Sequence, residues 1–261
     1  MRVPFFQLDA FATRRFTGNP AAVVLLEDFV DDDVLQAVAA ENNLSETAYV
    51  VPAGGGYRLR WFTPVVEVPL CGHATLAAGS VVLERLEPDR ASVVFDTASG
   101  PLTVARRGSA YEIDLPARTV SAVPTPPDLP AALGVTPLET ATDGANYLAL
   151  LASADQVRGL RPDLAAVARL DRSGVVVTAA GDGPYDLVSR YFAPAKGIDE
   201  DPVTGGAHCG LVPFWAARTG RDQLLAQQAS RRGGELACRL VGDRVVLGGA
   251  CVPYLDGHIE L

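Results

Sequence analysis

"RLRWFTPVVEVPLCGHATLAAG" occupies residues 58–79, and "VSRYFAPAKGIDEDPVTGGAHCG", residues 188–210, repeats its skeleton half a chain later. Arg60-Trp61-Phe62-Thr63-Pro64 meets Arg190-Tyr191-Phe192-Ala193-Pro194. After a small length difference, Glu67-Val68-Pro69-Leu70-Cys71-Gly72 meets Glu200-Asp201-Pro202-Val203-Thr204-Gly205. Upstream, "LSETAYVVPAGGGY" (44–57) matches "RSGVVVTAAGDGPY" (172–185) with one gap. Several blocks in the same order imply two homologous halves, because a solenoid would need three or more units.

Working outward, each half reads alike. Runs rich in Val, Leu, Tyr and Phe predict strands at 4–11, 21–26, 47–52 and 57–62, then at 146–151, 174–179 and 186–192. After Gly72 and Gly205 come segments apolar on all sides, which predict buried helices, the second stopping near Gly220. More strands follow at 92–97, 102–106 and 111–115, and at 236–241 and 244–247. The expected fold is therefore α+β, with two pseudo-symmetric domains, each a curled sheet around a central helix. Pro-rich "LPARTVSAVPTPPDLP" (115–130) is the expected linker, which places an N-terminal domain at 1–117 and a C-terminal domain at 118–249.

Composition narrows the functional classes. With 48% hydrophobic and 20% charged residues, the 261-residue chain is ordinary for a globular protein. No apolar run is long enough for a membrane span, and the N-terminal segment lacks the pattern of a signal peptide. A cytoplasmic protein with no membrane partner is expected. The net charge is −9 and the pI about 4.8, and no basic run interleaves with aromatics, so no nucleic-acid partner is expected. Cys71, Cys209, Cys238 and Cys251 are too few for a disulfide scaffold. Lys196 is the sole lysine, so any Schiff-base chemistry would depend on it.

The differences between the copies point to chemistry. Glu46 stands opposite Gly174, His73 opposite Gly206, and Asp201 opposite Val68. Acid–base work on an asymmetric substrate needs such asymmetry, whereas a structural role would be kept in both halves. On a strand over 44–51, Glu46 would share a face with Leu44, Ala48 and Val50. There desolvation would raise its pKa toward the range useful for proton transfer; a solvent-exposed strand edge is the alternative. Gly72 and Gly205 open helices whose first N–H groups lack intrahelical partners, which makes them candidate carboxylate sites, or else they serve only tight turns.

A metal site from Cys71, His73, His208 and Cys209 fails on spacing, since C-x-H and H-C are too close for the usual zinc pairs. No metal is expected. Cys71 and His73 flank a glycine at a helix start and are expected to point apart, which disfavours a nucleophile pair. His208 and Cys209 are expected to be packing residues.

With these residues in view, "FTGNPAAVVLL" (16–26), "NNLSETAYVV" (42–51), the two repeat blocks and the closing "DGHIEL" resemble the phenazine-biosynthesis (PhzF-like) isomerase family, within the diaminopimelate-epimerase-like fold. The resemblance spans essentially the whole chain. It implies two similar domains with an active site in the cleft between them, a last strand (about 250–261) returning to the first domain, and a homodimer. It also implies a cofactor-independent isomerase acting on a small-molecule carboxylate. The family's catalytic residues match Glu46, His73 and Asp201, and its substrate-holding positions match Ser45, Gly72, Gly205 and Gly206. The related epimerases carry a cysteine at each helix mouth. Here the first matches Cys71 and the second is Thr204, which argues against two-thiol racemisation and leaves Cys71 a relic or spectator beside the substrate. The family's common Gly-Ser at the second mouth is Gly205-Gly206, one hydroxyl fewer. The alternatives are a racemase, lyase or hydrolase step using Cys71, or a non-catalytic binding protein on this fold.

Overall fold

The structure, a computed structural model, describes residues 1–261. The chain divides into two compact units, Met1–Leu115 with Val246–Leu261, and Pro116–Val245. No helix is long and apolar enough to cross a membrane.

The first unit contains β1 (Arg2–Ala10), β2 (Asn19–Leu25), α1 (Asp32–Asn42), β3 (Glu46–Ala53), β4 (Gly56–Phe62), β5 (Glu67–Val68) and α2 (Gly72–Val81), followed by one π-helical turn, Val82–Leu86. β6 (Ser92–Asp96), β7 (Leu102–Arg107) and β8 (Ala110–Pro116) complete its contiguous part. The second unit contains β9 (Ser121–Ala122), α3 (Leu129–Leu133), β10 (Glu139–Thr142), β11 (Asn146–Leu150), α4 (Ala154–Gly159), α5 (Leu164–Ala168), β12 (Gly174–Ala180) and β13 (Leu187–Ala193). It continues with β14 (Ile198–Asp201), α6 (Gly205–Thr219), β15 (Gln223–Gln228) and β16 (Gly234–Val241). β17 (Arg244–Gly249) leads back to the first unit, where β18 (Cys251–Glu260) lies antiparallel to β1.

The repeat is visible in the strand register. In the first unit β1–β2 is antiparallel, β2–β3 parallel and β3–β4 antiparallel, with Ala48 opposite Trp61 and Trp61 opposite Val68 of β5. In the second, β10–β11 is antiparallel, β11–β12 parallel and β12–β13 antiparallel, with Val176 opposite Tyr191 and Tyr191 opposite Asp201 of β14. Val68 and Asp201 are thus equivalent positions, as are Glu46 and Gly174. The parallel pairs β4–β6 and β13–β15 repeat as well, and each parallel pair is joined by a helical crossover, as parallel strands require. The bidentate pair Arg60–Glu67 (2.8 Å and 2.8 Å) recurs as Arg190–Glu200 (2.6 Å and 3.1 Å).

α2 is a central helix because its sequence is apolar on every side: His73 through Val81 are all buried. It packs on β1, β2, β3 and β7. Gly79 permits the approach to β7, since a Cβ there would lie 2.5 Å from the Val104 side chain. α6 packs on β15 and β16 and ends at Gly220, whose φ of 67° suits glycine.

Three expectations change. Segment 115–130 is not a bare linker: Ser121–Ala122 pairs with β10, and the Arg118 N–H donates to the Cys209 carbonyl at 2.9 Å. β5, β9, β10, β14, β15 and helices α1, α3, α4 and α5 were not legible, because short polar-containing segments carry weak periodicity. The strand expected over 44–51 begins at Glu46, so Leu44 does not share its face; it packs against the core cluster that includes Leu35, Tyr49 and Val51.

Candidate active site

In the first unit, three chain segments converge at the mouth of α2. The parallel register of β2 and β3 sets Ala21 beside Glu46, and α2 packs across both strands. That places Asn19 at the start of β2, Ser45-Glu46 at the start of β3, and Cys71-Gly72-His73 at the helix mouth next to one another. His73 Nε2 lies 3.1 Å from Glu46 Oε2, with only 5% and 13% of the two side chains exposed. Neither atom makes an aligned hydrogen bond, so the charge contact is not closed off by a directed one. The other ring nitrogen, Nδ1, is 3.2 Å from Asn19 Nδ2 and 3.5 Å from Cys71 Sγ. The Ser45 hydroxyl donates to Asn19 Oδ1 at 2.8 Å.

The expectation that Cys71 and His73 point apart is overturned. Cys71 is the extended N-cap of α2 (φ −143°, ψ 112°), and an N-cap side chain turns back over the first helical turn, where His73 sits. Glu46 does occupy a largely buried position, but as one half of a pair with His73 and not as a lone carboxyl.

Electrostatics follow from this packing. Burial raises the Cys71 thiol, and the Glu46 charge raises it further, so it stays protonated. Burial opposes a charged His73, but the Glu46 carboxylate beside Nε2 outweighs it and holds His73 above its ordinary range. With Cys71 a thiol, Glu46 is the partner that stabilises the imidazolium.

Glu46, Cys71 and His73 bring their ligand atoms within 4.8 Å of one another. Glu46 faces Nε2 of the imidazole and Cys71 faces Nδ1, so the ring lies between the carboxyl and the thiol.

In the second unit, Thr204 is the N-cap of α6, and Gly205 and Gly206 are its first residues. The Thr204 hydroxyl donates to Asp201 Oδ2 at 2.5 Å instead of capping the helix. Gln228, 1% exposed, holds this mouth in place. Its Oε1 accepts from the Thr204 N–H at 2.8 Å, and its Nε2 donates to the Asp201 carbonyl at 2.8 Å and to Thr204 Oγ1 at 3.1 Å. A Cβ at Gly206 would lie 3.7 Å from an Arg118 guanidinium nitrogen, an ordinary van der Waals contact. His208 is buried with Nδ1 2.8 Å from the Thr204 carbonyl, and burial pushes its pKa down to about 4, leaving it neutral. Cys209 is buried, its thiol pushed up to about 11 chiefly by burial.

The structure therefore gathers Glu46, His73, Cys71, Gly72 and Ser45 in one unit, and Asp201, Thr204, Gly205 and Gly206 in the other. Asn19 and Gln228 escaped sequence reasoning. Their signal is only that of a buried amide, which a sequence does not show.

Comparison with known proteins fits this fold. The chain aligns with the crystal structure of a phenazine biosynthesis protein of the PhzF family from Enterococcus faecalis at 42% identity, TM-score 0.97, over 100% of both chains. A hydroxyproline epimerase from Agrobacterium vitis shares the fold at TM-score 0.63 and 11% identity, over 99% of this chain and 91% of that one. An uncharacterized isomerase of Pseudomonas aeruginosa is 49% identical over 100% of both chains. The fold and relatives define an isomerase of the diaminopimelate-epimerase-like class. The chain belongs to the phenazine biosynthesis-like protein family, whose model matches residues 8–257.

Proposed function

We propose that the protein is a cofactor-independent isomerase that moves a proton between carbons of a small, carboxylate-bearing, conjugated or cyclic substrate. Glu46 takes the proton from one carbon and delivers it to another. His73 steadies the Glu46 carboxylate before it takes the proton and again after delivery, and Asp201, steadied by Thr204, is the second proton-handling group. The amides of Gly72, Gly205 and Gly206 bind the substrate's carboxylate, with Ser45, Cys71 and Thr204 against its remainder. The observation that carries this reading is the buried 3.1 Å contact between Glu46 and His73, a base held beside its own proton partner. A dihydro-hydroxyanthranilate is the first substrate to test. In D₂O, solvent deuterium entering a product carbon, and its loss in Glu46→Gln, is the expected result. Full turnover by that variant would remove Glu46 from the mechanism.

A second reading has Cys71 as an acid–base group in a racemase-type or lyase step. It is favoured by the 3.5 Å contact of its sulfur with His73 Nδ1. Under that reading Cys71→Ala abolishes activity; under the first it retains most of it.

A further inference from the structure

We infer that Asn19 is a positioning residue that fixes which nitrogen of His73 carries the proton, and that Ser45 acts through it. The inference rests on the proton-transfer reading of Glu46 given above. Asn19 is wholly buried at the first position of β2, and its side-chain amide has two unlike ends. The oxygen accepts the Ser45 hydroxyl at 2.8 Å, which turns the NH₂ end toward His73 Nδ1 at 3.2 Å. An amide nitrogen can only donate, so in the neutral ring the nitrogen it faces presents a lone pair. The ring proton then sits on Nε2, 3.1 Å from Glu46 Oε2.

The thiol of Cys71, 3.5 Å from Nδ1, has a hydrogen to give in the same direction. Two donors thus converge on Nδ1 while one acceptor faces Nε2. The polar groups around the ring come from four places: Asn19 from β2, Ser45 from the turn before β3, Glu46 from β3 and Cys71 from the α2 mouth. Together they make a chain with one direction, Ser45 to Asn19 to His73 to Glu46. In the neutral ring, a proton placed on Nδ1 would meet the Asn19 N–H instead of an acceptor. The chain therefore keeps the single proton of the neutral ring on the side that faces Glu46.

The chain has only three histidines, so ¹⁵N-histidine spectra of the full protein, without substrate, test this directly. At the high-pH end of its titration, wild-type His73 should show a protonated Nε2 and a bare Nδ1. Asn19→Leu should give mixed tautomers. Asn19→Asp, which puts a charged acceptor at Nδ1, should keep the ring doubly protonated to about 1–3 pH units higher. Ser45→Ala should shift the tautomer partway toward the Asn19→Leu result. Circular dichroism and thermal melts report whether each variant is folded.

A wild-type Nδ1–H tautomer overturns the inference without any variant. So does a wild-type ring that stays doubly protonated wherever the protein is folded, or a folded Asn19→Leu with a wild-type His73 spectrum. If Asn19→Leu does not fold, the wild-type and Ser45→Ala spectra decide. Turnover by Glu46→Gln would sink the proposed reaction and leave the tautomer result standing, so the two failures are separable.

Discussion

The first unit carries a carboxylate and an imidazole where the second carries two glycines, although both are built on one strand register. At Gly174, the counterpart of Glu46, an added Cβ would lie 2.7 Å from the Phe192 carbonyl oxygen and 2.8 Å from the Tyr191 ring. Tyr191 fills that space and donates its hydroxyl to Asn146 Oδ1 at 3.0 Å. In the first unit Trp61 takes the equivalent position opposite Ala48, and Glu46 keeps its place beside His73. The same scaffold thus leaves room for a carboxyl at Glu46 and fills the equivalent place at Gly174 with the Tyr191 ring. The shared Arg–Glu pairs differ as well. Arg190 is 9% exposed and also donates to the Leu160 carbonyl at 2.8 Å, whereas Arg60 is 24% exposed and reaches outward to Asp32.

The comparison can be broken most sharply at the carboxylate. Glu46→Gln is expected to lower turnover by about 10²–10⁴-fold with the fold intact, a range typical of a lost acid–base group. Isomerisation kinetics and circular dichroism check the two halves of that statement. Next in size, Arg190→Met should cost about 3–5 kcal/mol because it leaves Glu200 unpaired in a mostly buried setting. Arg60→Met should cost only about 0.2–1 kcal/mol, since its partners are more exposed. Equal urea midpoints for the two variants would erase the distinction.

Gly174→Ala is expected to destabilise by about 1–3 kcal/mol through overpacking against backbone and Tyr191. A neutral result would mean that the place at Gly174 is not filled by Tyr191. The His73 pair should appear in the pH dependence of stability. Its folded pKa is raised, so its contribution is whole below the unfolded histidine value of about 6.5 and is lost as pH rises through the higher folded value. Denaturation midpoints of wild type and His73→Gln should therefore differ most at mildly acid pH and converge toward alkaline pH. The smallest change is Gly206→Ser, where the 3.7 Å clearance to Arg118 predicts a stability change within about 1 kcal/mol. Thermal melts check it.

Much of this was legible in residue order. The repeat announced two halves, the apolar runs after Gly72 and Gly205 announced buried helices, and Glu46, His73 and Asp201 were the polar residues that broke the repeat. The orientation of Cys71 was misread because a side chain at an N-cap is directed by backbone angles that spacing alone does not reveal. Asn19 and Gln228 were passed over because an amide in a sequence carries no sign of burial.

By itself, the sequence determined the architecture and the asymmetry, because hydrophobic pattern and internal repetition are local or self-referential signals. Only the tertiary structure decided that His73 is held between Glu46 on one nitrogen and Asn19 with Cys71 on the other. Asn19 and His73 are 54 residues apart in the chain, and no local preference links them. What joins them is the parallel pairing of β2 with β3 and the packing of α2 across both, which sets three distant chain segments at one buried point.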